Sequence, residues 1–171
     1  MVEKLELLMK KAGTGVQDRK CVAAANTNAE VTGEPASAIE LADGSVVTGK
    51  TSELMGATSA MLLNALKKLA GLPDELRLIS PSVIEPIQRL KIKHLGNHNP
   101  NLHIAEMLIA LTICAGTDEN AAKVVAKLDE LKGCEAHSSV ILSSEDQRTL
   151  AKLGINLTCE PKYQTKKLFH N

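Results

Sequence analysis

The segment Val140-Ile-Leu-Ser-Ser-Glu-Asp-Gln-Arg-Thr-Leu-Ala-Lys-Leu-Gly-Ile-Asn-Leu-Thr-Cys-Glu-Pro161 decides the fold class. Val140-Ile-Leu142 is a short apolar run of strand type, Ser144 and Gln147 have the spacing of a capping box, and Gly154 stops the helix they open. Ile155-Asn-Leu-Thr-Cys159 is a second strand, ended by Pro161. Strand, helix and strand so closely spaced make a βαβ unit, with parallel strands and a right-handed crossover expected.

Upstream, Ser37-Ala-Ile-Glu-Leu41 and Ser45-Val-Val-Thr48 flank Ala42-Asp43-Gly44, and Asp-Gly between β-prone runs is a strong hairpin signal. Gly49 closes the second strand, and Thr51 or Ser52 is placed to cap a long helix over about residues 53–70, stopped by Gly71. Its Leu54, Thr58, Met61, Leu62, Ala65 and Leu69 form one apolar stripe. Leu76-Arg-Leu-Ile79 reads as a further strand, and Ser80-Pro81 as a cap with proline at the first helical position. Pro86 is expected to break that helix, with a restart through Ile87, Leu90 and Lys91. Helices are also expected over about residues 102–115 and 119–131, divided by Gly116-Thr117-Asp118. Leu5, Leu8, Met9 and Ala12 predict a first helix over 1–13, continuing from an upstream domain, and residues 14–35 read mostly as loop. The fold class is therefore α/β, a layered domain over residues 36–171 with a small mixed sheet and several packed helices.

Composition removes several function classes. The chain has 171 residues, 44% of them hydrophobic, which suffices for a real core. Lys plus Arg and Asp plus Glu number 20 each, so no net field attracts a phosphate backbone, and no nucleic acid is expected as a partner. The two aromatic residues, Tyr163 and Phe169, cannot build a base-stacking platform. The near-apolar stretch over residues 107–115 falls far short of the ~20 residues a bilayer span needs, so no membrane is expected. Met-Val-Glu-Lys-Leu-Glu at the start lacks signal-peptide grammar, which makes the expected location cytoplasmic. Cys21, Cys114, Cys134 and Cys159 are scattered without a C-x-x-C pair and read as free thiols.

Three patterns carry possible chemistry. Gly44-Ser-Val-Val-Thr-Gly-Lys-Thr51 matches the phosphate-loop pattern G-x-x-x-x-G-K-[ST], but its four central residues are β-branched strand formers leaving a hairpin. The match reads as a decoy; the open alternatives are turn-and-cap chemistry or a simple anion cradle at Gly49, Lys50, Thr51 and Ser52 where the next helix begins. His94, His98, His103 and His137 could be offered as metal ligands, yet Gly96, Asn97 and Pro100 break the helical spacing the first two would need, and no metal is expected. Glu135, His137 and Ser139 alternate on one side of a strand as an acid, an imidazole and a hydroxyl. Neighbours in that row stand ~7 Å apart, too far to relay a proton unaided, so they are weak catalytic candidates. Ligands of open α/β sheets bind beyond the carboxyl ends of strands, which points to Ser143, Ser144 and Glu160.

Five collinear segments carry a family resemblance: residues 41–55, Leu78-Ile-Ser-Pro-Ser-Val-Ile-Glu-Pro-Ile-Gln88, His94-Leu-Gly-Asn-His-Asn-Pro-Asn-Leu-His103, Lys132-Gly-Cys-Glu-Ala-His-Ser-Ser-Val-Ile-Leu142 and residues 152–161. Together they resemble the C-terminal part of the bacterial family catalogued as domain of unknown function 1846. The resemblance implies a much longer protein, whose N-terminal part carries a glycine-rich, phosphate-loop-like stretch and would hold any nucleotide. No cofactor is then expected in this chain; its expected partners are that missing N-terminal domain and further copies of itself. Its role would be assembly, or completion of an inter-domain site. The rival reading is a small-ligand or phosphate-binding enzyme domain using Gly49 to Ser52 and His137.

Overall fold

The computed structural model describes residues 19–163 of the chain, and the first helix expected around Leu5, Leu8, Met9 and Ala12 lies outside them. Helix α1 (Lys20–Thr32) occupies much of the stretch read as loop. Its sequence is rich in Asn and Thr, and Cys21, Val22 and Ala25 alone are buried, too small a stripe to announce a helix. The sheet beneath supplies the missing stabilisation: these three residues pack on Ala38 and Val46. Gly33, in the left-handed conformation at φ 73°, ends the helix by donating its N–H to the Ala29 carbonyl.

Strands β1 (Ala36–Glu40) and β2 (Val46–Lys50) form the expected hairpin. Asp43 ties its turn, accepting from the Ser45 N–H at 2.9 Å and the Ser45 hydroxyl at 2.5 Å, while Gly44 takes φ 85°. Helix α2 (Ala57–Leu69) lies on the other side of the sheet from α1 and supplies Met61, Leu62, Ala65 and Leu66 to the core. It begins four residues later than Glu53, because Ser52 caps a local turn at the Leu54 and Met55 amides instead. Residues 76–79 are not a strand; no strand among the described residues pairs with them, and Leu78 and Ile79 plug the core.

Helix α3 (Pro81–Lys93) runs through Pro86 without the expected break. The carbonyl that proline cannot serve, four residues back on Ser82, belongs to an exposed residue near the helix start, where water can take it. Helices α4 (Ile104–Ala115) and α5 (Glu119–Val125) follow, the latter capped by Asp118 and trailed by a 3₁₀ turn over Leu128–Leu131.

The last unit is strand β3 (Glu135–Ser138), helix α6 (Ser144–Lys152) and strand β4 (Asn156–Cys159). The unit is βαβ with parallel strands, but its first strand precedes Val140-Ile-Leu142, and the cap is Ser143, whose hydroxyl accepts from the Asp146 N–H. The sheet therefore has four strands in order β2-β1-β3-β4, antiparallel at β2/β1 and β1/β3 and parallel at β3/β4. This is the α/β layered domain with a mixed sheet. The register puts Ala38 and His137 on the α1 face, with Ile39 and Ala136 on the core face. No helix among the described residues is long and apolar enough to cross a membrane.

Candidate functional site

Met55 and Leu102, far apart in sequence, form a short parallel bridge: the Gly56 N–H donates to the Leu102 carbonyl and the Leu102 N–H to that of Leu54. Two residues further along each segment a helix begins, so α2 and α4 start side by side at the end of the sheet where β3 finishes. The α6 N-terminus joins them through Asp146, whose Oδ1 accepts from the Ile104 N–H at 3.2 Å and whose Oδ2 meets His103 Nδ1 at 3.3 Å. Three helix N-termini thus border one cleft of about 280 Å³, with Asn99, Asn101 and Thr51 on its polar side and Val140, Ile141 and Leu142 on its apolar side.

Behind the cleft, the Lys91 ammonium is 1% exposed and donates to the Asn101 carbonyl at 2.5 Å and to Glu106 Oε1 at 2.8 Å. Glu106 also accepts the His103 N–H at 2.9 Å, tying α3 to the start of α4. The hydrogen bond to Asp146 raises the His103 pKa above its usual value.

His137 belongs to a different network, on the α1 face. Its Nδ1 lies 2.6 Å from Thr158 Oγ1 and its Nε2 2.8 Å from Glu160 Oε2, both on or beside β4. Arg19 donates to the same Thr158 oxygen at 2.7 Å and to the carbonyls of Ala136 and Asn156. Glu160 can only accept, so in the neutral imidazole Nε2–H donates to it and Nδ1 accepts the Thr158 hydroxyl proton. Burial at 1% exposure favours that neutral form: desolvation pushes the His137 pKa down against the pull of Glu160. Glu135 turns to Arg19, with 3.7 Å between Oε1 and Nε, and Ser139 accepts the Ala36 N–H. The structure thus joins His137 to Thr158 and Glu160 and sends Glu135 and Ser139 elsewhere.

The two histidines make opposite contributions to acid stability. His137 has a folded pKa below the unfolded ~6.5, so the unfolded chain takes up protons first and stability is lost as pH falls below about 6.5. His103, raised, contributes stability that is complete below ~6.5 and fades as pH rises through its folded value. His137→Gln should flatten the acid side of the stability profile and His103→Gln should steepen it, measured by urea unfolding between pH 7.5 and 5.5. An unchanged profile in His137→Gln would contradict the neutral assignment.

The remaining sequence candidates disperse. Gly49 is buried inside β2, Lys50 is exposed, and Ser52 caps its local turn; Thr51 alone of the four lines the cleft. The segment matching the phosphate-loop pattern is a hairpin strand, not a loop at a helix start. Ser143 lines the cleft, Ser144 is exposed, and Glu160 borders a second cleft of about 510 Å³ beside Glu30 and Lys162. No group of three or more metal-ligating side chains forms among the described residues. Asn101, Gly56 and Asp146 were not singled out from sequence. The spacing Ser143-x-x-Asp146 signals a cap as clearly as Ser144-x-x-Gln147 does, and reading it one residue earlier would have found Asp146.

An α/β domain that gathers helix N-termini around a cleft at the end of its sheet is the class defined by this geometry. Residues 17–169 match the family model described as domain of unknown function DUF1846, C-terminal, and the chain belongs to that family. It is 52% identical over 166 residues to a UPF0371 protein of Corynebacterium urealyticum, covering 97% of this chain and 33% of the relative. A UPF0371 protein of Streptococcus thermophilus is 52% identical over 168 residues, covering 98% of this chain and 34% of the relative. The chain thus spans about a third of the length of the curated relatives it matches.

Proposed function

We propose that this chain acts as the docking and assembly domain of a longer cytoplasmic protein, with the outer face of α4 as its contact surface for the preceding two-thirds. The observation that carries this reading is α4 itself. Ile109 and Ile113, four residues apart, are 62% and 65% exposed, and the neighbouring exposed positions Ala105, Thr112 and Gly116 carry no charge. A helix whose outer face is uncharged beyond its first turn is normally covered there. The relatives' extra length supplies a covering partner. Any nucleotide is assigned in this reading to the preceding part. Mixing this chain with the separately expressed preceding part of the Streptococcus thermophilus relative should give a one-to-one complex by light scattering. Ile109→Glu with Ile113→Glu should weaken it at least about tenfold, some 1.4 kcal/mol, with the circular dichroism unchanged. Self-association through this face, with no complex, would replace docking by assembly of copies, and full affinity in the double variant would overturn the reading.

A second reading, a small-ligand domain in its own right, is favoured by the cleft at the helix N-termini.

A further inference from the structure

We propose that the N-terminus of α2 is an oxyanion site, which takes the phosphate or carboxylate group of a small ligand at the cleft; the proposal rests on the small-ligand reading and gives it a place and a chemistry. The first N–H groups of a helix have no partner within it and are normally met by a capping side chain. Helix α2, 13 residues long, has glycine at its cap position, no side-chain cap and no acidic residue in its first turn. The hydroxyls that could turn back are engaged: Thr58 pairs with Ser37 at 2.8 Å, and Ser59 donates to the Leu102 carbonyl at 3.0 Å. Ala57, Thr58 and Ser59 are buried, and all three line the cleft, which places the start of α2 in its wall.

A second observation points the same way. Asn101, 4% exposed, also lines the cleft, and its side-chain Oδ1 is buried without a hydrogen-bond partner. A buried carboxamide in a folded protein normally has partners. Rotation about its last bond brings its two N–H donors round to the position Oδ1 occupies, so a ligand oxygen would satisfy it. The one carboxylate on the cleft wall, Asp146, is already held through one oxygen by the Ile104 amide and through the other by His103. The apolar wall of Val140, Ile141 and Leu142 leaves room for a short organic body behind the charged head.

The test is an amide-resolved NMR titration of the 171-residue chain with inorganic phosphate and, separately, with acetate, at ionic strength held constant by chloride. Saturable shifts at the Ala57, Thr58 and Ser59 amides and the Asn101 carboxamide are expected with at least one probe, and the two arms tell a tetrahedral from a planar oxyanion. Gly56→Asp supplies a carboxylate cap in place of the ligand. Its Cβ would lie 3.9 Å from the Leu102 carbonyl, an ordinary contact, and the glycine has φ −70°, so the variant should melt no lower than the parent. It should bind the probe at least about tenfold more weakly. Asn101→Leu, which keeps the bond from the Asn101 N–H to the Asn99 side-chain Oδ1, should weaken binding too. No saturable response to either probe, or equal affinity in Gly56→Asp, would overturn the proposal. Shifts scattered over surface lysines would do so as well, marking an adventitious ion only. A neutral metabolite retained at the cleft in a native mass spectrum, with both probes silent, would sink the oxyanion assignment and keep the ligand reading.

Discussion

Gly49→Ala is expected to destabilise this domain by about 3 kcal/mol or more, the upper end of what overpacking a core costs. Gly49 sits in β2 directly under the first turns of α2, and a Cβ there would overlap the backbone of Met61 and come within 2.6 Å of the Ala57 carbonyl oxygen. Backbone cannot rotate away as a flexible side chain can. The helix would have to lift from the sheet, opening the contacts of Met61, Leu62 and Ala65 in the core. For a chain of this length the melting temperature should fall by roughly 10 °C, checked by thermal unfolding. Gly56→Ala is the matched control, since its Cβ meets nothing closer than 3.9 Å, and it should shift the transition little. An ordinary melting curve for Gly49→Ala would mean that α2 does not seat where it is described.

Glu106→Leu should rank next. Removing this carboxylate leaves the Lys91 ammonium, 1% exposed, to the Asn101 carbonyl, and it takes away the Glu106 acceptor of the His103 N–H at the start of α4. Breaking a fully buried ion pair costs about 3–5 kcal/mol. Glu106 is 30% exposed on its side chain, so solvent screening lowers the expectation to about 2–3 kcal/mol. Lys91→Met should cost less, because it removes the buried charge and leaves a carboxylate that water can reach. Equilibrium urea unfolding of the two variants checks the order; a larger loss in Lys91→Met would reverse the assignment of the desolvated partner.

The hairpin was legible because Asp43-Gly44 determines its turn through contacts only two positions away at Ser45, and α2 because its stripe repeats at helical spacing over thirteen residues. Where stabilisation came from distant parts of the chain, the local pattern misled. Helix α1 depends on Ala38 and Val46 beneath it, and its own run of Asn, Thr and Ala resembles a loop. Strand β3 was displaced toward Val140-Ile-Leu142 because apolarity marks a strand only where a face meets the core. Its true residues, Glu135 to Ser138, include an acid and a histidine because one face lies under α1 against Arg19. The cleft was the least legible part. Asp146 reaches the start of α4 across 42 positions in sequence, and the bridge that aligns α2 with α4 joins Met55 to Leu102, and no spacing rule spans such distances.

The order β2-β1-β3-β4 also says how the chain can assemble in time. The β1/β2 hairpin with α2, and the β3–α6–β4 unit, each form from neighbours in sequence, whereas β1 and β3 meet across nearly a hundred intervening residues. Closing that loop costs the most chain entropy, and it is rewarded by a ladder of four residue pairs, by the Arg19 bonds to β3 and β4 and by the shared core. The β1/β3 ladder is therefore the seam between two locally built units, the place where loop-closure entropy weighs most against pairing.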